Sequence, residues 1–350
     1  MTVSRPAVSV ILNAEYPISK LVELGRLCEE LGYGCLWYTD LRFATECFIG
    51  LAAIAGQTSR IRLGPGVVDP YSRHPSMIAS SIATLDELTG GRAMLGLGIG
   101  GQGLPELGIE RKLPVAAMRE AVEMIRSLLK GERVTVQGKV VLLAGAKLSV
   151  RPVQERIPIY FATHGAQIAK LAGQIADGVL IANTLNPTAF DFYVKQIGEG
   201  VTKADRPPSA VDIGLRVEAC ISDDDDEAFA VMRARVASRV LSQYPHWEYL
   251  DAIGITLPEA FVEIAKGPDR GKSNPGAAAL MPREVVESMV LAGNVERCAQ
   301  QLAKGLVPEI THLTIRPHAA PGQDVASVLT AFIRDVVPRA LRVQERGASR

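Results

Sequence analysis

Glycines interrupt or end three apolar, strand-like runs of this sequence. The run "IRLGPGVVDP" (61–70) contains Gly64 and Gly66, and the runs "GLGIGG" (96–101) and "FATHG" (161–165) both finish in glycine. Glycine weakens the interior of a strand, so its presence there marks a bulge or a close approach of a ligand to the backbone. The three segments predict a binding site made largely of backbone at the ends of buried strands.

The run "GLGIGG" has two interpretations. Gly96, Gly98 and Gly101 match G-x-G-x-x-G, which binds a dinucleotide when it opens directly into a helix. Here another glycine and a proline follow, and the next helical pattern begins only near Pro114. We therefore interpret the run as a strand that ends in glycines beside a flat ligand, with the dinucleotide motif as the alternative.

The segment "FATHGAQIAK" predicts a strand that passes straight into a helix. Thr163, His164 and Gly165 stand at the junction. Free backbone amides at a helix start, with a glycine permitting close approach, form a plausible phosphate site. An ordinary turn between a strand and a helix gives the same pattern.

His74, the cysteines and the known hydrolytic motifs give little indication of a catalytic site. His74 precedes Pro75, a residue that fits the first position of a helix, so we interpret His74 as a capping or packing residue. The sequence contains no Ser-His-Asp, HExxH or paired-carboxylate pattern, and its five cysteines form no CxxC pair. Hydrolysis and metal catalysis therefore have little support, and no metal site is predicted.

Strand-like runs alternate with helical stripes along most of the chain, which favours a parallel sheet with helical crossovers. Eight strands fit a closed α/β structure, the (β/α)8 TIM barrel, better than an open doubly wound sheet, which is the structural alternative. The predicted strands are Val8–Leu12, Cys35–Thr39, Ile61–Val68, Ala93–Leu97, Pro158–Ala162, Asp177–Ala182, Asp212–Cys220 and Thr311–Pro317.

We expect residues 1–350 to form a single domain with two insertions. Residues 131–156 alternate like a hairpin after the fourth strand, and residues 223–310 predict a helical excursion between the seventh and eighth strands. This excursion could cover one end of the barrel. Its acidic start, Asp223–Glu227, suits the first turn of a helix capped by Ser222.

Charge and termini exclude several classes of function. The 38 basic residues balance 38 acidic ones, which argues against nucleic acid or a membrane surface as a partner and leaves a small-molecule substrate. The N-terminal apolar run is too short for a signal sequence or a spanning helix, so we expect a cytoplasmic protein.

Two longer stretches carry a family resemblance. "LGPGVVDPYSRHP" and "IATLDELTGGRAMLGLGIG" resemble the bacterial luciferase-like superfamily of flavin and deazaflavin oxidoreductases, and within it the methylenetetrahydromethanopterin reductases that use coenzyme F420. The resemblance extends through "LGYGCLWYTD", "IPIYFATHGAQ" and "DGVLIANTLNP". It implies a (β/α)8 barrel that binds F420 at the C-terminal ends of its strands. It also implies hydride transfer at C5 of the deazaflavin, and a homodimer or larger homo-oligomer.

The resemblance also implies roles for individual residues. It places a cis peptide at Gly66-Val67 as a bulge behind the flat ring, with Asp40 near the ring as the catalytic candidate. The cofactor-binding residues that it implies are Gly66, Val67, Val68, Gly98, Gly100, Thr163, His164, Gly165, Ala182 and Asn183. The basic residues Arg270 and Lys272 are candidates for contact with the anionic tail of the deazaflavin.

The sequence departs from the pterin reductases at two positions. Ile11 stands where those enzymes have a glutamate in the first strand, and Leu41 follows Asp40 where several members of the family have histidine. These departures argue for a substrate other than the pterin. An FMN-dependent monooxygenase remains the alternative function, and a member that binds a flavin or nothing without catalysis is a third.

Overall fold

The computed structural model describes residues 6–101, 103–163, 165–182, 184–267 and 274–348. In these ranges the strands are β1 (Ala7–Leu12), β2 (Cys35–Tyr38), β3 (Arg62–Pro65), β4 (Leu95–Leu97), β5 (Val134–Gln137), β6 (Leu142–Ala146), β7 (Ile159–Thr163), β8 (Gly178–Ala182), β9 (Asp212–Ile221), β10 (Val290–Gly293) and β11 (His312–Pro317).

The α-helices of the same ranges follow these strands along the chain. They are α1 (Ile18–Leu31), α2 (Cys47–Ala55), α3 (Pro75–Thr89), α4 (Pro114–Leu129), α5 (Ala166–Ile175), α6 (Pro187–Lys203), α7 (Asp225–Gln243), α8 (Glu248–Asp251), α9 (Glu259–Lys266), α10 (Pro275–Leu280), α11 (Arg283–Met289), α12 (Val295–Gly305), α13 (Val325–Ala331) and α14 (Val337–Ala348).

The main sheet has the strand order of a (β/α)8 barrel. Eight of its nine strands follow the order β3-β2-β1-β11-β9-β8-β7-β4, the ninth, β10, pairs with β9 beside this path, and the strand pairs whose register is known are parallel. Isolated parallel bridges, Leu63 to Ala93 and Val68 to Leu97, link the β3 segment to the β4 segment. The fold class predicted from the sequence is therefore confirmed.

Each of the eight predicted strands is present, but β3 and β4 are shorter than expected. The prediction for β3 was Ile61–Val68, whereas regular pairing stops at Pro65 and resumes only at the Val68 bridge. Gly66 lies between these points, so the interruption noted in the sequence coincides with a break in the regular strand pairing.

Glycine also ends the helices α1 and α3. Gly32 after α1 and Gly90 after α3 have φ of 87° and 63°, in the left-handed region that glycine adopts without a steric penalty. Each glycine N–H donates to carbonyls of the last helical turn, which fixes where the helix stops.

The two predicted insertions contain the following elements. In residues 131–156, β5 pairs antiparallel with β6. Residues 223–310 contain the helices α7 to α12. Between α11 and α12 lies a strand that the sequence analysis missed, β10, which pairs parallel with the end of β9. The cap of α7 also differs from the prediction, because Asp224 accepts the N–H groups of Asp226 and Glu227.

Contacts within the chain define two compact units. We call Ser9–Leu180 with Gln196–Asp212 the N-terminal unit, and Met1–Val8, Ile181–Lys195 and Ile213–Arg350 the C-terminal unit. The five cysteines are free and buried; Cys28, Cys35 and Cys47 belong to the N-terminal unit, and Cys220 and Cys298 to the C-terminal unit. No helix in the described ranges is both long and apolar enough to cross a bilayer.

Candidate active site

Glycines allow the ends of β3 and β4 to close around Val67. The Gly66-Val67 peptide is cis, as the family resemblance implied. A Cβ added at Gly66 would lie 2.8 Å from Cβ of Trp37, and one added at Gly98 would lie 2.6 Å from Cγ2 of Val67. Both distances are too short for carbon atoms, so any other residue at these positions would displace a neighbour.

Backbone contacts set the spacing of the same two strands. A Cβ at Gly64 would overlap the carbonyl oxygen of Met94, and one at Gly96 would overlap that of Pro65. Between them, Val68 N–H donates to the carbonyl of Gly96 at 3.1 Å. Two of the three glycines that resembled a dinucleotide motif, Gly96 and Gly98, therefore serve strand packing, and α4 begins only at Pro114, which agrees with our interpretation.

An apolar cluster lies beneath these strand ends. Ile11, Cys35, Trp37, Met94, Tyr160 and Leu180 are buried together, and the Trp37 and Tyr160 ring centroids are 5.4 Å apart. A Cβ at Gly66 would lie 3.0 Å from Cδ1 of Ile11, so Ile11, noted as a departure in the sequence analysis, faces Gly66 with a methyl group. No carboxylate is therefore supplied from this position of β1.

Asp40, the catalytic candidate, is held by an arginine. Arg73 Nε donates to Asp40 Oδ2 at 2.8 Å and its Nη2 donates to Oδ1 at 2.9 Å, a bidentate pair. The same Nη2 donates to Glu46 at 2.6 Å. These hydrogen bonds raise the pKa of Arg73 above its ordinary value, although burial opposes the shift. The pair fixes the orientation of the Asp40 carboxylate at the end of β2.

A second ion pair, between Asp69 and Arg42, was missed in the sequence analysis. Asp69 is 1% exposed and accepts the N–H groups of Tyr71 and Ser72, both at 2.9 Å, and the Ser72 hydroxyl at 2.7 Å. Arg42 forms the ion pair with the same carboxylate. The Asp-Pro that follows the strand was the available signal, because aspartate commonly bonds the amides two and three residues further on.

Gly100 lies against this ion pair. It has φ of 71°, and a Cβ there would come 3.2 Å from Cγ of Asp69 and 2.8 Å from Cδ1 of Leu104. The left-handed φ and the closeness of Asp69 and Leu104 therefore explain why position 100 is glycine. The buried Asp69 carboxylate organises the turn between β3 and α3, next to the loop that follows β4.

His74 caps a helix, as predicted. Its Nδ1 accepts the N–H of Ser76 at the start of α3, and its Nε2 donates to the carbonyl of Leu142 at 2.9 Å. Both ring nitrogens are thereby used in joining α3 to β6. This arrangement gives His74 a structural role.

The predicted phosphate site lies at the junction of β7 and α5. Thr163 is the last residue of β7, and Gly165 precedes the ten-residue helix with open space around the position of its missing Cβ. The end of β7 is near the glycines, since a Cβ at Gly98 would lie 3.6 Å from the carbonyl oxygen of Ala162. His164 lies outside the described residues.

Four predicted residues remain, one inside and three outside the described ranges. Ala182 is the buried last residue of β8, in the C-terminal unit. Asn183, Arg270 and Lys272 lie outside the described residues. Among the residues that are described, no group of three His, Cys, Asp or Glu side chains could hold a metal ion.

Comparison with known proteins identifies the family. The model of the luciferase-like monooxygenase family matches residues 1–307. The chain belongs to this family. It is 31% identical over 311 residues to 5,10-methylenetetrahydromethanopterin reductase from Methanolobus tindarius, a match that covers 89% of this chain and 94% of that relative.

Two further similarities concern sequence and fold. The chain is 28% identical to F420-dependent glucose-6-phosphate dehydrogenase from Nocardia farcinica over 91% of this chain and 93% of the relative. The solved F420-dependent tetrahydromethanopterin reductase from Methanopyrus kandleri superimposes with a TM-score of 0.82 at 28% identity, covering 96% of this chain and 99% of that one. The chain is an oxidoreductase with the luciferase-like barrel fold.

Proposed function

We propose that the chain is an F420-dependent oxidoreductase that transfers a hydride between C5 of the deazaflavin and an organic substrate. The observation that carries the proposal is the set of glycine-lined strand ends around Val67, in a chain similar along most of its length to F420-dependent enzymes. When bound, F420 would supply the hydride donor or acceptor, so the protein supplies position and electrostatics.

The residues present fit such a cofactor. Gly66 and Val67 are partly exposed and Gly66 carries no side chain, which suits the face of a flat ring, and the buried Val68 holds this segment against β4. Gly98 lies beside Val67 and borders this surface. At Gly165 the open approach and the amides that begin α5 suit a phosphate group.

Asp40 is the proposed contact to the reacting part of the site. Because Arg73 binds both of its carboxylate oxygens, Asp40 offers their remaining lone pairs in a fixed direction. Its proposed role is to orient the reacting ring. The observed pairing gives no support to Asp40 as a free general base.

The substrate proposed is an organic molecule other than the pterin. Ile11 presents a methyl group beside Gly66. The family resemblance implies a glutamate at this position in the pterin reductases. A substrate that needs a carboxylate from the first strand therefore lacks its partner here.

The proposal is tested by titrating F420 and FMN separately into the purified protein and following cofactor fluorescence. Tight binding of F420 with little affinity for FMN is expected, followed by turnover of reduced F420 in a substrate screen. Preference for FMN with oxygen consumption would instead support the alternative function, an FMN-dependent monooxygenase.

We also propose that the protein forms a homodimer or a larger homo-oligomer. Large apolar side chains are exposed on or beside two adjacent helices of the N-terminal unit: Phe43 before α2, Ile49 on α2 and Met77 on α3. Exposed apolar side chains grouped in this way commonly mark an interface.

A further inference from the structure

A buried carboxylate in the C-terminal unit is surrounded by arginines. Glu218 on β9 is 5% exposed, and Arg239 of α7 donates to its Oε1 at 2.9 Å. Arg216 of β9 and Arg316 of β11 each place a guanidinium nitrogen 3.6 Å from the same oxygen. We call Arg216, Arg239 and Arg316 the arginine cluster.

Positive charge exceeds negative charge at this point. Two guanidinium groups, those of Arg216 and Arg239, face the single carboxylate of Glu218. Arg235 lines the same crevice as Glu218. The imidazole of His318 adds no charge, because burial lowers its pKa, and its Nε2 donates to Glu218 Oε2 at 2.8 Å. Burial, followed by the charges of neighbouring arginines, lowers the pKa of Arg216 to about 9.

Hydrogen-bond donors are also in excess. Arg216 is 9% exposed, and within the described part of the chain its Nε and Nη2 have no hydrogen-bond acceptor. A buried guanidinium with unused donors is costly unless an anion completes its hydrogen bonds. The planar fork of arginine matches the two oxygens of a carboxylate or phosphate group.

The arginine cluster lies close to the surface. The Arg239 side chain is 25% exposed, beside a crevice lined by Glu218, Arg235, Val236, Arg239, Met289 and Val290 that is too narrow to hold a water molecule in this structure. Glu218 and Arg316 lie in the C-terminal halves of β9 and β11, paired in register. Enzymes with this fold bind their substrates at the C-terminal ends of the barrel strands.

We propose that the arginine cluster binds a carboxylate or phosphate group of the substrate. Glu218 holds the guanidinium groups together and competes for them, so the anion completes a site that is built but short of negative charge. The identification of this anion as part of the substrate rests on the proposed oxidoreductase function; the binding of an anion does not.

The test is calorimetric titration of the full-length protein with inorganic phosphate and, separately, with succinate, at constant ionic strength. Saturable binding of at least one probe is expected, and Arg239→Gln should weaken it by about tenfold or more, the usual loss for a charged hydrogen-bonded pair. Arg339→Gln, which removes a surface arginine paired with Glu296, is the matched control and should bind as the unmodified protein does.

A second variant distinguishes loss of the binding site from a general disturbance of the fold by Arg239→Gln. Glu218→Gln removes the competing carboxylate, so binding of the anion should become several-fold tighter. A merely structural ion pair would not produce tightening. The proposal is overturned if neither probe binds saturably, if Arg239→Gln equals Arg339→Gln, or if Glu218→Gln fails to tighten binding.

A third measurement separates substrate from cofactor as the source of the anion. The same titrations are repeated with F420 bound at saturation, and binding of the probe should persist. Displacement of the probe by F420 would show that the anionic tail of the cofactor occupies the cluster and would overturn the substrate assignment. Failure of F420 to bind would instead count against the proposed function, while anion binding by the protein alone would still be measured.

Discussion

Individual glycines in the candidate site are constrained by different neighbours, and this makes their roles separable. Gly98 is limited by the Val67 side chain, whereas Gly64 and Gly96 are limited by backbone carbonyls. A side chain can rotate or be replaced, but a strand carbonyl cannot move without disturbing its sheet. Gly98 is therefore the position at which the packing of the site can be changed with the least damage to the fold.

We predict that Gly98→Ala weakens F420 binding and lowers the free energy of unfolding by about 1–3 kcal/mol, the usual cost of overpacking. The added Cβ would lie 2.6 Å from Cγ2 of Val67 and push that residue out of place. Fluorescence titration and urea unfolding measure the two effects.

Two variants sharpen this test. Gly101→Ala adds the same atom where nothing lies within 4 Å, and it should match the unmodified protein in both measurements. Gly98→Ala combined with Val67→Ala removes the crowded methyl groups and should regain stability. Equal effects of Gly98→Ala and Gly101→Ala would contradict the proposed role of Val67.

At the scale of elements, one carboxylate ties α1 to the start of β3. Glu29 accepts the backbone N–H groups of Ser59, Arg60 and Ile61 at 2.6–3.1 Å. Burial by itself would raise the pKa of Glu29, but these backbone hydrogen bonds, Ile61 first, lower it to about 2. Glu29 thus fixes the turn from which the glycine-containing strand begins.

We predict that this contact is lost in acid. Because the folded pKa is below the ordinary value, the carboxylate stabilises the fold above about pH 4.5, and the contribution disappears as the pH falls towards 2. Glu29 is partly exposed, so solvent screening limits the contribution to about 1–2 kcal/mol. Between pH 6 and pH 2, the free energy of unfolding of Glu29→Gln should fall less steeply with pH than that of the unmodified protein. Glu30→Gln, on the exposed face of α1, is the control and should show the pH dependence of the unmodified protein.

The cap of α7 gives a prediction on a longer element. Asp224→Ala should lower the free energy of unfolding by about 1 kcal/mol, because it removes the acceptor for two helix N–H groups. Ser222→Ala is the matched control and should change stability by less than about 0.5 kcal/mol. A larger loss at Ser222 would restore the capping residue expected from the sequence.

At the scale of the whole molecule, apolar periodicity and chain length were sufficient to predict the barrel. The strands β1, β2, β7, β8, β9 and β11 lie within two residues of their predicted bounds, because each is an apolar run with clear breaks on both sides. The four-residue strand β10 follows α11 without such a break, so no local signal distinguished it from the helices around it.

Only part of the candidate site could be predicted in the same way. Gly66, Gly98 and Gly165 carry local signals, since glycine within or after an apolar run is unusual. The pairs of Asp40 with Arg73 and of Asp69 with Arg42 join residues about 30 positions apart, and the arginine cluster draws on β9, α7 and β11. Contacts of that kind depend on how strands pair, which single residues do not reveal.

Assembly also belongs to this scale. We predict that the unmodified protein elutes as a dimer or larger in light-scattering chromatography, and that Ile49→Glu with Met77→Glu shifts it towards the monomer. Charges placed in an apolar interface cannot be solvated there, which opposes association. Val153→Glu, at an equally exposed apolar residue in a loop, should leave the assembly unchanged. A monomeric unmodified protein would contradict the proposed oligomer.

The alkylation rates of the five buried cysteines can measure local unfolding of the protein. Burial raises the pKa of each thiol, so alkylating reagents, which are attacked by thiolates, should modify the native protein very slowly. Each thiol then becomes reactive only when its surroundings open. Cys28, Cys35 and Cys47 report on the N-terminal unit and Cys220 and Cys298 on the C-terminal unit, so peptide mapping after timed alkylation would give separate opening rates for the two units without any added label.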